Sequence, residues 1–180
     1  RPVVSSDRDR ALEAFERLSP ESRYRRFFTP IPALGERMLT RLTDVDHEDH
    51  VAWCVLHRDE DSEPGLGAAS FWRCKDDRTK AEIAFTVLDG FQRRGVGTLL
   101  LGILAIQAKR RGIETFLAFA LGTNASLVNW FRAIGAEIRF DGGQFEIAWP
   151  LSNLDAPKTL PTTLASERLM NWYRWLSDRL

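Results

Sequence analysis

Cysteine, methionine and tyrosine are each present only twice among 180 residues. Two cysteines cannot build the disulfide framework that holds small secreted scaffolds together. Charge of either sign is not in excess: 25 basic residues cancel 25 acidic ones, so no global field recruits nucleic acid or an anionic membrane. Long apolar runs are missing too. The longest, about 13 residues from Val96 to Ala108, falls short of a bilayer span. No secretory signal is visible, so the reading is cytoplasmic; the sequence starts at Arg1 without an initiator Met, which leaves room for a larger parent protein. The three histidines and Cys54 close no four-ligand spacing, since His50 and Cys54 merely share parity on a strand, and no metal is expected. Repeats and low-complexity segments are absent.

What is present suits one α/β domain with a full core: 44% of the residues are apolar, and about 100 to 200 residues is the usual domain size. Ser6 is read as the cap of a helix running to Leu18, and Ser19-Pro20-Glu21-Ser22 opens a second. Ala33 to Leu42 reads as a third short helix. Pro2 to Val4, His50 to His57, Leu66 to Cys74, Lys80 to Leu88, Glu114 to Leu121, Ala136 to Phe140 and Gln144 to Trp149 read as strands. Helices are expected from Val96 to Gly112, from Asn124 to Gly135 and from Leu164 to Leu180. The sheet is therefore mixed, with about six to seven strands. A hairpin turn near Asp59 to Pro64 would put Cys54 opposite Ala69 and leave Cys74 about 16 Å along the strand, beyond disulfide reach. Residues 1–150 form the expected domain, and 151–180 a linker and an amphipathic helix packed on it or at a dimer contact.

Gln92-Arg93-Arg94-Gly95-Val96-Gly97-Thr98 follows a strand and opens an apolar helix. Such an order leaves backbone N–H groups unpaired at the positive end of a helix dipole, where a phosphate can accept them. Gly95 and Gly97 keep side chains out of the turn or away from the ligand, and Arg93 and Arg94 add charge. A Walker A loop needs Lys followed by Ser or Thr after its last glycine, and a dinucleotide loop needs three glycines; this loop has neither. Charge is also uneven along the chain. Eight acids between Leu42 and Glu63 face only Arg58, which makes either an acidic lip for an amine substrate or a solvated loop.

Glu82 shares a strand face with the small residues Ala84 and Thr86, while Ile83, Phe85 and Val87 point the other way. A carboxylate in a cleft can take the proton that an ammonium must lose before it attacks an acyl group. Pairing of Glu82 with Lys80 or an arginine is the competing, structural reading. Arg23 to Phe28 mixes cations and aromatics, and at helical spacing its rings more readily face a core than a nucleic acid.

Gln92 to Thr98 resembles the (Gln/Arg)-x-x-Gly-x-(Gly/Ala) signature of the GNAT superfamily of acyl-CoA-dependent N-acyltransferases, and Asn124, Leu127, Phe131 and Gly135 fall at the spacing of a second segment of that family. Ala81 to Val87 and Leu18-Ser19-Pro20-Glu21-Ser22-Arg23-Tyr24-Arg25-Arg26-Phe27-Phe28 are similar to the bacterial Pat-type protein lysine acetyltransferases. That branch commonly carries a fused cyclic-nucleotide-binding or synthetase-like domain, and neither is expected within these residues. The resemblance implies the GNAT fold and acetyl-CoA as cosubstrate. It implies CoA held by Phe85, Thr86, Val87, Gln92, Arg93, Arg94, Gly95, Val96, Gly97, Thr98, Asn124 and Phe131. Glu82 becomes the general base, and Tyr24 and Arg26 line the substrate cleft. The acceptor is an amine, preferably a protein lysine such as one on an acyl-CoA synthetase, attacked directly by no acyl-enzyme route. The protein would be a monomer or homodimer. Phe131 stands where many relatives place a Tyr that protonates the leaving thiolate. A phenyl ring has no proton to give, so a small-amine acetyltransferase and a non-catalytic acyl-CoA sensor remain alternatives.

Overall fold

The computed structural model describes residues 1–57, 65–155 and 160–180. Three short helices come first, α1 (Arg8–Glu16), α2 (Pro20–Phe27) and α3 (Glu36–Thr43), followed by strands β1 (His50–Val55), β2 (Gly67–Arg73) and β3 (Lys80–Val87). Helix α4 (Val96–Arg110), strand β4 (Thr115–Leu121), helix α5 (Ala125–Ala133), strands β5 (Glu137–Asp141) and β6 (Gln144–Pro150) and helix α6 (Leu164–Ser177) complete the chain. The strands form one six-stranded sheet in the order β1-β2-β3-β4-β6-β5. Every neighbour is antiparallel except β3 and β4, whose crossover passes through α4.

Alternation along the strands divides the two faces. Val51, Ala69, Phe71, Ala81 and Ile83 meet Leu100, Leu101 and Leu104 of α4, and Phe116, Ala118 and Trp149 meet Val128 and Phe131 of α5. Helix α4 is apolar on nearly every side because it is covered twice. The sheet takes one side, while Ile103 and Ile106 pack on Leu176 of α6. Leu176, Tyr173 and Trp172 of α6 all lie within contact distance of the space above Gly102, where the two helices meet. Thr163 caps α6, and Thr163 and Ser166 both donate to Ala133 O at the end of α5, which fastens the last helix to the core. The opposite face carries α1 to α3, joined by Phe15, Leu34 and Leu39.

Several boundaries differ from expectation. Asp7, not Ser6, precedes α1: its carboxylate accepts Val4 N–H and pairs with Arg1, which winds Ser5–Asp7 into a 3₁₀ turn first. The helix ends at Glu16 rather than Leu18: Leu18 N–H bonds Phe15 O, three residues back, and Pro20 opens α2 with no N–H to give Glu16 O, so Arg23 donates to the carbonyls of Glu16 and Leu18 instead. Pro2 forms only an isolated bridge to Trp53. Cys54 pairs with Ala68, not Ala69. Directly opposed residues of an antiparallel pair share a face, and Val51 and Phe71 both face α4, so Cys54 must oppose an even-numbered residue. Both cysteines are free thiols. The turn read near Asp59 to Pro64, with half of the acidic lip, and Pro157 of the linker lie outside the described residues.

Candidate active site

The parallel pairing of β3 with β4 covers only Lys80–Glu82 against Thr115–Leu117. Beyond it β3 runs on to Val87 and β4 to Leu121 without bonding each other, so the sheet splits between its two central strands. The split leaves main-chain N–H and C=O groups of β3 without a ladder partner on that edge, in the place where an extended ligand can use them. A cleft of about 540 Å³ occupies the opening.

At one end of the cleft stands the N-terminus of α4. Arg93 and Gly95 both adopt left-handed backbone, at φ 59° and 93°, and this turns the chain from the short 3₁₀ segment Asp89–Phe91 into the helix. The first helical bond runs from Leu99 N–H to Gly95 O, and neither a side-chain cap nor an acidic residue occupies the first turn. The N–H groups of Val96, Gly97 and Thr98 therefore have no helical acceptor. The two glycines serve different ends. Gly95 permits the turn; Gly97 has no left-handed φ, and a Cβ there would meet nothing within 4 Å, so its lack of a side chain keeps open space over the unpaired amides. Arg25, Arg26, Arg93 and Arg168 line the cleft against a single acid, Glu82, which suits a polyanionic ligand.

The loop is braced from behind. Gln92 Nε2 donates to Val87 O and Asp89 Oδ1, and Asp89 in turn accepts from Ser19 N–H and from the hydroxyls of Ser19 and Ser22. Ser19 also caps α2 by accepting from Ser22 N–H. The two serines of the α2 motif thus tie α2 to the turn before α4, and although burial opposes the shift, these bonds, with the backbone bond to Ser19, keep the Asp89 carboxyl below its ordinary range.

Glu82 sits on the same cleft, exposed, on the face of β3 shared with Ala84 and Thr86. Lys80 is engaged by Asp77 at 2.9 Å, and among the described residues no cation lies within ion-pair distance of Glu82. The carboxylate is free to meet a substrate. Arg26 lines the same cleft: burial pulls this guanidinium down to about 10, with Glu82 opposing and Arg41 reinforcing the shift. It remains cationic at neutral pH.

Asn124 caps α5 by accepting Leu127 N–H at 3.4 Å through its Oδ1, which leaves its amide N–H₂ without a partner among the described residues while it lines the cleft. Phe85 packs edge-on against Trp130 and Phe131, so the floor of the cleft is aromatic and Phe131 is wholly buried. The structure thus gathers Glu82, Phe85, Thr86, Val87, Gln92, Arg93, Gly95, Gly97, Thr98, Asn124, Phe131 and Arg26 around one cleft. Three of the expected residues stand outside its lining. Arg94 lies over the Phe91 ring, Val96 packs on the core, and Tyr24 is 42% exposed, because α2 turns Arg26, not Tyr24, inward. Arg168 and Ala165 are additions from α6. No sequence motif marks them, since only the docking of α6 beside α5 brings them to the cleft.

The model of the acetyltransferase (GNAT) family matches residues 10–136. The chain belongs to that family. It is 34% identical over 136 residues to acetyltransferase Pat of Mycolicibacterium smegmatis, covering 76% of this chain and 40% of that protein. An acetyltransferase of Pseudomonas aeruginosa is 26% identical over 135 residues, which cover 75% of this chain and 72% of that one. Among solved structures, the GNAT domain of S. lividans PAT superposes with a TM-score of 0.76 at 29% identity, over 83% of this chain and 88% of that domain. The chain is thus a Pat-like GNAT domain that spans about two fifths of its mycobacterial relative. The mixed sheet with flanking helices and a C-terminal helix is the arrangement expected from sequence.

Proposed function

We propose that the domain transfers an acetyl group from acetyl-CoA to an amine, and that the acceptor is a lysine side chain of a protein. The observation that carries this reading is the continuity of one cleft from a carboxylate with no ion-pair partner among the described residues, Glu82, to a helix N-terminus whose first amides have no helical acceptor. The residues present fit an acyl-CoA. The amides of Val96 to Thr98 with Arg93 would hold its pyrophosphate, Arg168 a further phosphate, and the unpaired edge of β3 with Asn124 the pantetheine arm. The thioester supplies the acyl group when bound.

Glu82 accepts the ammonium proton of the acceptor, directly or through a water, so that a neutral amine can attack. In the transfer the amine nitrogen bonds to the acyl carbon as the carbon–sulfur bond breaks, and a main-chain N–H of the open β3 edge polarises the carbonyl. Phe131 holds no proton, so water protonates the departing thiolate. A thiol pKa near 8.5 makes that thiolate a tolerable leaving group. Neither cysteine serves as a nucleophile: burial pushes the Cys54 thiol up on the edge strand β1, two strands from Glu82, and Cys74 is likewise raised. Phe28 and Phe119, each more than a third exposed, flank the mouth and leave it accessible to a bulky acceptor.

Intact-protein mass measurement after incubation with acetyl-CoA and candidate acceptors tests the assignment. A gain of one acetyl mass on a protein, abolished in Glu82→Gln while acetyl-CoA still raises the melting temperature, is the expected result. Label appearing only on small amines would replace the lysine acceptor by a small molecule. An unchanged transfer rate in Glu82→Gln would remove the general base.

A further inference from the structure

On the face of the sheet away from α4, α1 and α2 lie over Ala52, Ala68, Ser70 and Ala84. Four short side chains in one patch fail to fill the space beneath the helices, and a cavity of about 120 Å³ remains. Phe15, Leu18, Phe27 and Leu34 close it from the helical side, and its walls are almost wholly apolar. An apolar cavity of roughly 150 Å³ admits a guest as large as benzene, and this half-open one is the right size for a short hydrocarbon chain.

The cavity is not isolated from the chemistry. Leu18, Arg26, Ala84 and Thr86 line both it and the cleft that holds Glu82. Ala84 and Thr86 lie on the same face of β3 as Glu82, two and four residues along the strand. Arg26 stands at the junction, with its guanidinium 5.1 Å over the Phe27 ring and its charge facing Glu82. Its aliphatic stem can wall an apolar channel while its head stays with the polar groups.

We propose that this cavity is an acyl-chain pocket, and that the domain accepts thioesters with acyl chains of about four to six carbons besides acetyl. The inference rests on the acyl-CoA reading above. The bonds exchanged are those of acetyl transfer: the amine nitrogen takes the acyl carbon, the thiolate leaves, and the proton goes to Glu82. Only the apolar tail differs, and it replaces empty space by contacts.

Calorimetric titration of the protein with acetyl-, butyryl- and hexanoyl-CoA, with no acceptor present, reads the pocket without turnover. Each methylene transferred from water to an apolar site is worth about a fourfold change in Kd, so butyryl-CoA, with two more methylenes, should bind up to about 16-fold more tightly than acetyl-CoA. Ala14→Phe, on α1 at the far wall, should abolish that difference and leave the acetyl-CoA Kd unchanged; Ala52→Val repeats the test from the sheet side if the larger ring disturbs folding. Chain-length-independent affinity in the unmodified protein, or a chain-length gain that survives both substitutions, would overturn the pocket. Tighter binding of succinyl-CoA than of butyryl-CoA would overturn it too, by making Arg26 a receptor for a carboxylate. Failure of acetyl-CoA itself to bind would instead sink the acyltransferase reading.

Discussion

Gly95 and Gly97 lie two residues apart, yet substitution at each should damage a different property. At Gly95 the backbone is left-handed, with φ 93°, and an L-side chain there costs about 1–2 kcal/mol. In a domain of this length such a loss lowers the melting temperature by roughly 2–8 °C. Gly97 lies in the first turn of α4 without a left-handed φ and with open space around an added Cβ. Gly97→Ala should therefore keep or slightly raise the melting temperature, since alanine is preferred over glycine in a helix by up to about 1 kcal/mol. The same methyl group stands over the amides of Val96 to Thr98. Losing even one charge-assisted bond of about 1.5–3 kcal/mol would weaken CoA binding roughly 10- to 150-fold. Thermal unfolding and calorimetric titration with CoA separate the two effects. A Gly97→Ala protein that melts normally and binds CoA at wild-type affinity would refute the assignment of this turn as the phosphate seat.

Two further outcomes follow from the structure. Arg168→Ala should leave the fold intact, because the side chain is exposed, and should weaken CoA binding while flattening its salt dependence; an unchanged salt slope would exclude α6 from the ligand. His50 is buried against Trp72 with a ring separation of 4.1 Å, its Nε2 lacks a partner among the described residues, and burial holds its pKa below the ordinary value of 6.5 although Asp46 opposes this. The unfolded chain therefore binds the proton first, so stability is fully present above pH 6.5 and declines as the pH falls below it. Urea midpoints at pH 5 and pH 8 should differ in the wild type and differ less in His50→Phe, which keeps the aromatic stack; equal pH dependence in both would show that His50 titrates normally.

The local elements and the glycine turn before α4 were legible in the sequence for reasons that act over a few residues. Glycine at left-handed positions, Ser19 and Asn124 at caps, and the alternation of Ala81 to Val87 all express short-range preferences, and the structure places them accordingly. The first helix shows where such reasoning stops. Arg1 engages Asp7 at its start, and at its end Arg23 reaches back to the carbonyls of Glu16 and Leu18, across turns that no helical period describes. The register of Cys54 likewise follows from which face of each strand meets α4, a property of the sheet as a whole.

By itself, then, the sequence determined the strand, turn and helix around Gln92 to Thr98 and the side of β3 from which Glu82 projects, because backbone geometry and strand parity decide both. Tertiary structure alone decided that the parallel pairing stops at Glu82 and Leu117, opening the cleft, and that α6 delivers Arg168 to it. It also turned Arg26 rather than Tyr24 inward and left a void beneath α1 and α2. Those features depend on how elements far apart in the chain fill space against one another, and packing of that kind has no period to be read along a sequence.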